Sequence, residues 1–154
     1  MEIRIDDLQG APIQALLRLH LDAMRQHSPP ESVHALDLEA LRHPTITFWT
    51  VWDGESLMGC GALKQHDDKH AELKSMRTAP DHLRRGVSRA LLDHMVALAR
   101  ARGYARLSLE TGTAAMFGPA NAMYERYGFS DCGAFGGYPA SAHNRFMTME
   151  LSPP

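Results

Sequence analysis

The sequence predicts an α/β (α+β) fold in which a mixed, mostly antiparallel sheet of seven strands is flanked by about four helices. Two patterns support this fold class. Three strand-like segments separated by short polar turns lie between residues 45 and 78 and predict an antiparallel meander. A strand–helix–strand passage then follows through residues 71–111 and is typical of a right-handed parallel crossover. With 154 residues, 44% of them hydrophobic, the chain fits one core, and we expect a single domain over residues 1–152.

The first elements are a strand and two helices. Residues 2–5 alternate polar and apolar side chains, which predicts a short strand. Pro12 suits the first turn of a helix, and apolar residues at roughly helical spacing continue this helix to about residue 27. A Ser-Pro-Pro sequence at residues 28–30 ends it. Residues 36–41 predict a second, shorter helix.

The meander follows. Residues 45–52 are rich in β-branched and aromatic side chains and predict a strand, which an Asp-Gly turn at residues 53–54 joins to a second strand over 57–64. A polar turn at residues 66–70 leads to the third strand, residues 71–78.

The second half alternates helices and strands in the predicted order β-α-α-β-β-β-α-β-α-β-β. A helix with one apolar face begins after Gly86 and ends at Gly103, and residues 105–111 form the next strand. Residues 119–127 predict the last helix, which Gly128 ends. Residues 129–135 and 145–151 are then expected to be strands.

Composition excludes several classes of function. The net charge is −2, so a general affinity for nucleic acid or for an anionic membrane is not expected. No apolar run approaches the roughly 18 residues that span a bilayer, and the N-terminus lacks a signal core. Cys60 and Cys132 do not have the spacing of metal ligands, and the histidines at 66 and 70 are expected to flank a hydrated turn and not to bind a metal. We therefore expect a reduced, cytoplasmic protein without a metal.

The most informative stretch is residues 71–92, where a strand-like run meets a Pro-Asp turn and the segment over residues 83–89, Leu-Arg-Arg-Gly-Val-Ser-Arg, then begins a helix. A helix N-terminus leaves backbone N–H groups unpaired and carries partial positive charge, so it attracts anions. Gly86 lets the backbone approach a ligand closely, and three arginines add positive charge. This segment predicts a phosphate-rich ligand. It contains neither a nucleoside-triphosphate P-loop nor a full dinucleotide fingerprint.

Two motifs together resemble those of the GNAT superfamily of acetyl-CoA-dependent N-acetyltransferases, in its small, single-domain bacterial form. The first runs from Thr78-Ala79-Pro80-Asp81 into the segment just described and resembles the family's pyrophosphate loop, Gln/Arg-x-x-Gly-x-Gly/Ala. The second, Ala120-Asn121-Ala122-Met123-Tyr124-Glu125-Arg126-Tyr127-Gly128-Phe129, resembles the family's A-x-x-L-Y-E-x-x-G-F segment. The order of the predicted elements agrees with this family over nearly the whole chain.

The resemblance implies acetyl-CoA as cosubstrate and a set of cofactor-binding residues. The sequence departs from the family pattern at Leu83, which replaces Gln/Arg, at Ser88, which replaces the last Gly/Ala, and at Phe117, which replaces an Asn. The first two roles rest chiefly on backbone N–H groups. The implied cofactor-binding residues are Met76, Arg77, Thr78, Leu83, Arg84, Arg85, Gly86, Val87, Ser88 and Arg89.

The resemblance also implies how the chemistry is done. Strands 71–78 and 105–111 would splay apart to admit the pantetheine arm, and a backbone N–H near Met76 would stabilise the thioester oxygen as it gains charge. Glu72 is a candidate general base, acting directly or through water, and Tyr124 a candidate acid beside the coenzyme sulfur. The amine would attack directly in a ternary complex.

The acceptor is left open between a small-molecule amine and a peptide. Candidate acceptor contacts are Glu31, His34, Lys74 and Glu110. The alternative function is a non-catalytic acyl-CoA-binding regulatory module, which would need the phosphate loop but no acid or base. The oligomeric state is also open, with a homodimer as one candidate because dimers are common in this superfamily.

Overall fold

The computed structural model describes residues 1–27 and 38–151, and within these ranges the chain forms seven strands and four α-helices. Their order confirms the order that the sequence predicts. The elements are β1 Glu2–Ile5, α1 Ala11–His27, α2 Leu38–Leu41, β2 Ile46–Asp53, β3 Ser56–Gln65, β4 His70–Thr78, α3 Val87–Ala101, β5 Arg106–Gly112, α4 Gly118–Tyr127, β6 Ser130–Asp131 and β7 Asn144–Glu150.

The seven strands make one sheet in the order β1-β2-β3-β4-β5-β7-β6. Every neighbouring pair is antiparallel except β4 and β5, which are parallel because α3 carries the chain from one to the other. The sheet is therefore mixed and mostly antiparallel, which confirms the predicted fold class.

Each face of the sheet has its own apolar cluster. On one face, Leu91, Leu92 and Met95 of α3 pack with the strand residues Leu73 and Leu107. On the other face, Ile13 and Leu16 of α1 pack with a second set of strand residues, Phe48, Cys60 and Ala62. Burial of side chains of this size contributes about 1.5–3 kcal/mol each, so these two clusters hold the helices on the sheet.

The predicted strand over residues 129–135 is wrong in extent, because β6 comprises only Ser130 and Asp131. Gly136 and Gly137 take positive φ angles of 63° and 77° and turn the chain back over the sheet. The ring of Phe135, which would have continued the strand, instead packs edge-on against His66 and His70, at 5.8 and 5.4 Å between centroids. Residues 132–143 therefore form a loop that covers part of the α1 face.

Candidate active site

A gap opens between β4 and β5 halfway along the two strands. The strands pair from His70 and Arg106 as far as Leu73 and Leu109, and then continue without pairing to Thr78 and Gly112. The separation coincides with a bulge in β4 where the register to β3 shifts and Ser75 adopts a φ of 55°. The resulting cleft of about 100 Å³ lies between residues 72–76 of β4 and 109–112 of β5.

Side chains from α4 hold the end of β5 away from β4. Thr111 Oγ1 donates to Asn121 Oδ1 at 2.8 Å, and Asn121 Nδ2 donates to the Gly112 carbonyl at 3.0 Å. The ring of Phe117, just before α4, packs against Gly112. Asn121 therefore ties β5 to α4 while Phe117 forms part of the cleft wall.

Gly112 is a position where a single added methyl group is expected to destabilise the fold. A Cβ built there would lie 2.1 Å from the Phe117 ring, so Gly112→Ala must displace that ring. We expect a loss of about 1–3 kcal/mol in the free energy of unfolding, measured by urea denaturation. Gly118→Ala is the matched control, because a Cβ there meets nothing within 4 Å. A loss in Gly112→Ala no larger than in the control would contradict this packing.

Tyr124 lies in the cleft wall on α4 and is 7% exposed. Its ring packs edge-on against Phe129 at 5.8 Å. Burial raises the pKa of its phenol to about 12, so the hydroxyl is protonated over the physiological range. Within the described parts of the chain no side chain or backbone group accepts a hydrogen bond from it, so a donor is available in the cleft.

Glu72 lines the cleft near the point where β4 and β5 separate. It belongs to a cluster of four polar side chains, which we call the Glu72 cluster: His66, Glu72, Lys74 and Tyr138. His66 Nε2 donates to Glu72 Oε1 at 2.7 Å, and Lys74 Nζ donates to Glu72 Oε2 at 2.9 Å. Lys74 also donates to the Tyr138 hydroxyl at 2.9 Å, and that hydroxyl donates to Glu72 Oε1 at 3.1 Å. The side chains of Glu72 and Lys74 are only 2% and 6% exposed.

The Glu72 cluster keeps both of its charges. Burial alone would raise the pKa of Glu72, but the hydrogen bond from His66 and the charge of Lys74 outweigh it and hold that pKa below its usual value. Burial alone would likewise lower the pKa of Lys74, but the Glu72 charge and the Tyr138 hydroxyl raise it. The cleft therefore contains a carboxylate beside an ammonium group at neutral pH.

His20 adds a neutral imidazole to the cleft from α1. Burial and the nearby charge of Arg77 lower the pKa of His20 to about 4, so the ring is uncharged at neutral pH. His20, His66 and Tyr138 were not predicted as site residues from the sequence. Helical spacing marks His20 only as a polar position, and no local pattern links Tyr138 to Glu72, 66 positions away.

The predicted phosphate loop lies beside this cleft. Arg84 and Gly86 take positive φ angles of 63° and 76°, and Gly86 is the N-cap of α3 with no side-chain capping bond. The first amides of α3 are thus open to an anion. The Thr78 and Ser88 hydroxyls lie 2.8 Å apart and join the loop to the end of β4.

A second cleft lies at the start of α3. Six of the predicted cofactor-binding residues line it: Thr78, Arg84, Gly86, Val87, Ser88 and Arg89. Pro119, Met123 and Arg126 complete it from α4 and were not singled out from the sequence. Met76 lines the first cleft instead. Leu83 is 59% exposed, and Arg85 Nη1 lies 3.3 Å from His82 Nδ1.

The remaining predicted residues have varied positions. Arg77 lies on the α1 side of β4, where its Nε atom is buried without a hydrogen-bond partner in the described structure. Lys74 and Glu110 line the first cleft, and Glu110 Oε2 accepts from Asn144 Nδ2 at 2.7 Å. Glu31 and His34 lie outside the described residues.

Neither a metal cluster nor a bilayer span is found in the described ranges. No group of three or more His, Cys, Asp or Glu side chains there could hold a metal ion. His66 and His70 instead stack on one another at 5.2 Å, and His70 shares a 2.7 Å hydrogen bond with Ser108. No helix in those ranges is both long and apolar enough to cross a membrane.

Comparison with known proteins gives concordant matches. A model of the acetyltransferase (GNAT) family matches residues 13–129. The chain is 53% identical over 149 residues to the uncharacterized N-acetyltransferase YedL of Escherichia coli (strain K12), covering 97% of this chain and 94% of YedL.

Solved structures share the fold. A protein assigned as an acyl-CoA N-acyltransferase from Klebsiella pneumoniae superposes with a TM-score of 0.81 at 28% identity, over 98% of this chain and 97% of that one. A GNAT family acetyltransferase from Elizabethkingia anophelis, with acetyl-CoA bound, superposes with a TM-score of 0.72 at 18% identity, over 97% of each chain.

Proposed function

This chain belongs to the GNAT acetyltransferase family and is an N-acetyltransferase, and we propose that it moves the acetyl group of acetyl-CoA to a primary amine by direct attack. The observation that carries the proposal is the gap between β4 and β5, which opens beside a helix N-terminus with unpaired amides. The relationship to N-acetyltransferases disfavours the non-catalytic module. The boundaries 1–152 and the oligomeric state stay predictions.

Each of the two clefts would bind a different part of the cosubstrate. The amides of residues 86–89 and the Arg84 guanidinium would bind the diphosphate. Among the described strands, none pairs with the β4 backbone between Met76 and Thr78 on the β5 side, so this backbone can pair with the amides of the pantetheine arm as with an added strand. The thioester would then lie in the first cleft, which Tyr124 and Glu72 both line.

The described residues supply a route for each proton. The attacking amine must first lose a proton, and we assign Glu72 to accept it, directly or through a water. The nitrogen then forms a bond to the thioester carbon, while a backbone N–H near Met76 stabilises the oxyanion. As the carbon–sulfur bond breaks, the Tyr124 hydroxyl gives its proton to the leaving thiolate, which departs as free thiol. The attacking nitrogen loses its second proton as the amide forms, and this proton returns the Tyr124 phenolate to phenol through water. Glu72 releases the proton that it accepted to solvent, so one proton is released in each turnover. No covalent bond to the protein is formed.

A panel of amines tests the proposed function. Purified enzyme with acetyl-CoA is screened for release of free thiol with small amines, amino acids, polyamines and peptides, and the products are identified by mass spectrometry. We expect thiol release that depends on the amine and yields an N-acetylated product. Binding of acetyl-CoA without amine-dependent release, across the whole panel, would contradict the proposal.

Removal of the Tyr124 hydroxyl tests the acid. Tyr124→Phe is expected to lower kcat by about 10- to 100-fold, because the thiolate loses its donor, while the Kd for CoA changes less than about twofold. Tyr127→Phe is the matched control. Tyr127 lies on the same helix and also has a pKa raised to about 12, mainly by burial, but its hydroxyl donates to Asp93 outside the clefts. Equal kcat values for the two variants would exclude this role for Tyr124.

A further inference from the structure

The Glu72–Lys74 pair presents opposite charges on one wall of the first cleft, between β4 and β5. Glu72 Oε2 and Lys74 Nζ are 2.9 Å apart, and both side chains are almost fully buried. Pairs this deep are costly to desolvate, and apolar side chains of similar size often replace them without loss of stability. The need to fill space in the core therefore does not explain the pair. Because the pair lies where β4 and β5 separate, it is positioned to contact an acceptor.

The hydrogen bonds of the pair leave one donor and one acceptor position for a ligand. An ammonium group has three N–H donors, and Lys74 uses one on Glu72 and one on Tyr138. A carboxylate offers about four acceptor positions. Glu72 uses three within the described ranges, for His66, Tyr138 and Lys74. The remaining acceptor position is on Oε2, 2.9 Å from the Lys74 Nζ that carries the remaining donor.

We propose that the acceptor is a zwitterion of the α-amino acid type, with its ammonium on Glu72 Oε2 and its carboxylate on Lys74 Nζ. This proposal rests on the proposed function. In an α-amino acid the two charged groups are attached to one carbon, so their spacing matches the short distance between the two side-chain atoms. The arrangement alternates positive and negative charges, which is favourable for all four groups.

Acceptors of other charge types fit this wall less well. A purely cationic amine is attracted by Glu72 but repelled by Lys74. An anion is attracted by Lys74 but repelled by Glu72. His20 does not change this balance, because burial lowers its pKa to about 4 and leaves it neutral. His143 and Glu110 line the same cleft farther along β5, and Glu110 accepts from Asn144.

Matched acceptor pairs test the proposal. Rates are measured for α-amino acids, for the amines formed by removing their carboxyl group, and for their amides. We expect kcat/KM to be at least about 10-fold higher for the amino acid of each pair whose side chain fits the cleft, because a hydrogen bond from a charged group is lost without the carboxylate.

A change at Lys74 assigns this preference to one residue. Lys74→Met is expected to reduce the ratio of kcat/KM between amino acid and matched amine to near one. Lys74→Arg, which keeps the charge, restores part of the ratio, and Lys69→Met in the exposed β3–β4 turn leaves it unchanged. Calorimetric titration of each CoA-loaded variant with the preferred amino acid gives a reading that does not depend on turnover.

The outcomes separate the two proposals. Acetylation of amines without a preference for the carboxylate, or with an unchanged ratio in Lys74→Met, overturns the zwitterion proposal and leaves the proposed function intact. Acetylation of no amine of any class overturns both. A carboxylate preference that disappears only in the Lys74 variants supports the assignment.

Discussion

Replacement of Glu72 by glutamine is expected to lower kcat for acetyl transfer by at least about 100-fold, because glutamine has the shape of the carboxylate but cannot take the proton of the amine. In the proposed arrangement the diphosphate of acetyl-CoA binds at the start of α3 and Glu72 makes no contact with it, so the Kd for acetyl-CoA is expected to change less than about twofold. Steady-state kinetics and calorimetry on the same preparation measure the two quantities.

Loss of the negative charge also affects folding, and this effect must be separated from catalysis. Lys74 would keep its buried charge without a counter-ion, and breaking such a pair costs about 3–5 kcal/mol. The double variant Glu72→Gln with Lys74→Met removes both charges, while the glutamine oxygen still accepts from His66 and Tyr138. We expect this variant to regain much of the lost stability without regaining activity.

The pH dependence distinguishes a base from a merely structural residue. The pKa of Glu72 is below its usual value, since His66 and Lys74 outweigh the effect of burial, so the carboxylate is present throughout the neutral range. An amine that is already deprotonated in solution does not need the base. The deficit of Glu72→Gln is therefore expected to shrink between about pH 7 and pH 10. A deficit that is constant with pH, or a loss of less than about threefold, would remove Glu72 from proton transfer.

The order of the elements was predictable because the signals for it are local. The Asp-Gly turn, the alternating strands and the glycines that follow α3 and α4 each act within a few residues. The start of α3 at Gly86 was predictable for the same reason, since the glycine and its neighbouring arginines are adjacent in sequence. The binding of phosphate by this segment stays a prediction.

The Glu72 cluster was not predictable, because it is assembled by tertiary contacts. Tyr138 reaches Glu72 only because the loop over residues 132–143 folds back across the sheet, and a Cβ on Gly136 would lie 2.8 Å from His66. The bulge at Ser75 was likewise not predictable from the residues of β4 alone. The residue that makes room for it is Gly61 on the neighbouring strand β3, where an added Cβ would lie 2.6 Å from Met76 Sδ.

The phosphate loop gives the second large effect. Gly86→Asp is expected to raise the Kd for acetyl-CoA by at least about 100-fold, because it puts a negative charge beside the amides that would bind the diphosphate. Two like charges about 4 Å apart repel by about 4 kcal/mol at an effective dielectric constant of about 20. That is enough for the expected change, since 100-fold corresponds to about 2.7 kcal/mol.

Gly86→Asn separates charge from shape in this experiment. Asn and Asp both tolerate the left-handed conformation that the φ of 76° requires, and a Cβ at Gly86 meets nothing within 4 Å. Asn carries no charge, so we expect it to weaken binding by about 10-fold or less. Gly103→Asn has the same open surroundings and a φ of 83° beyond the C-terminus of α3, and its Kd should equal that of the wild type. If Gly86→Asp bound acetyl-CoA as tightly as Gly86→Asn, the amides at the start of α3 would not be the diphosphate site.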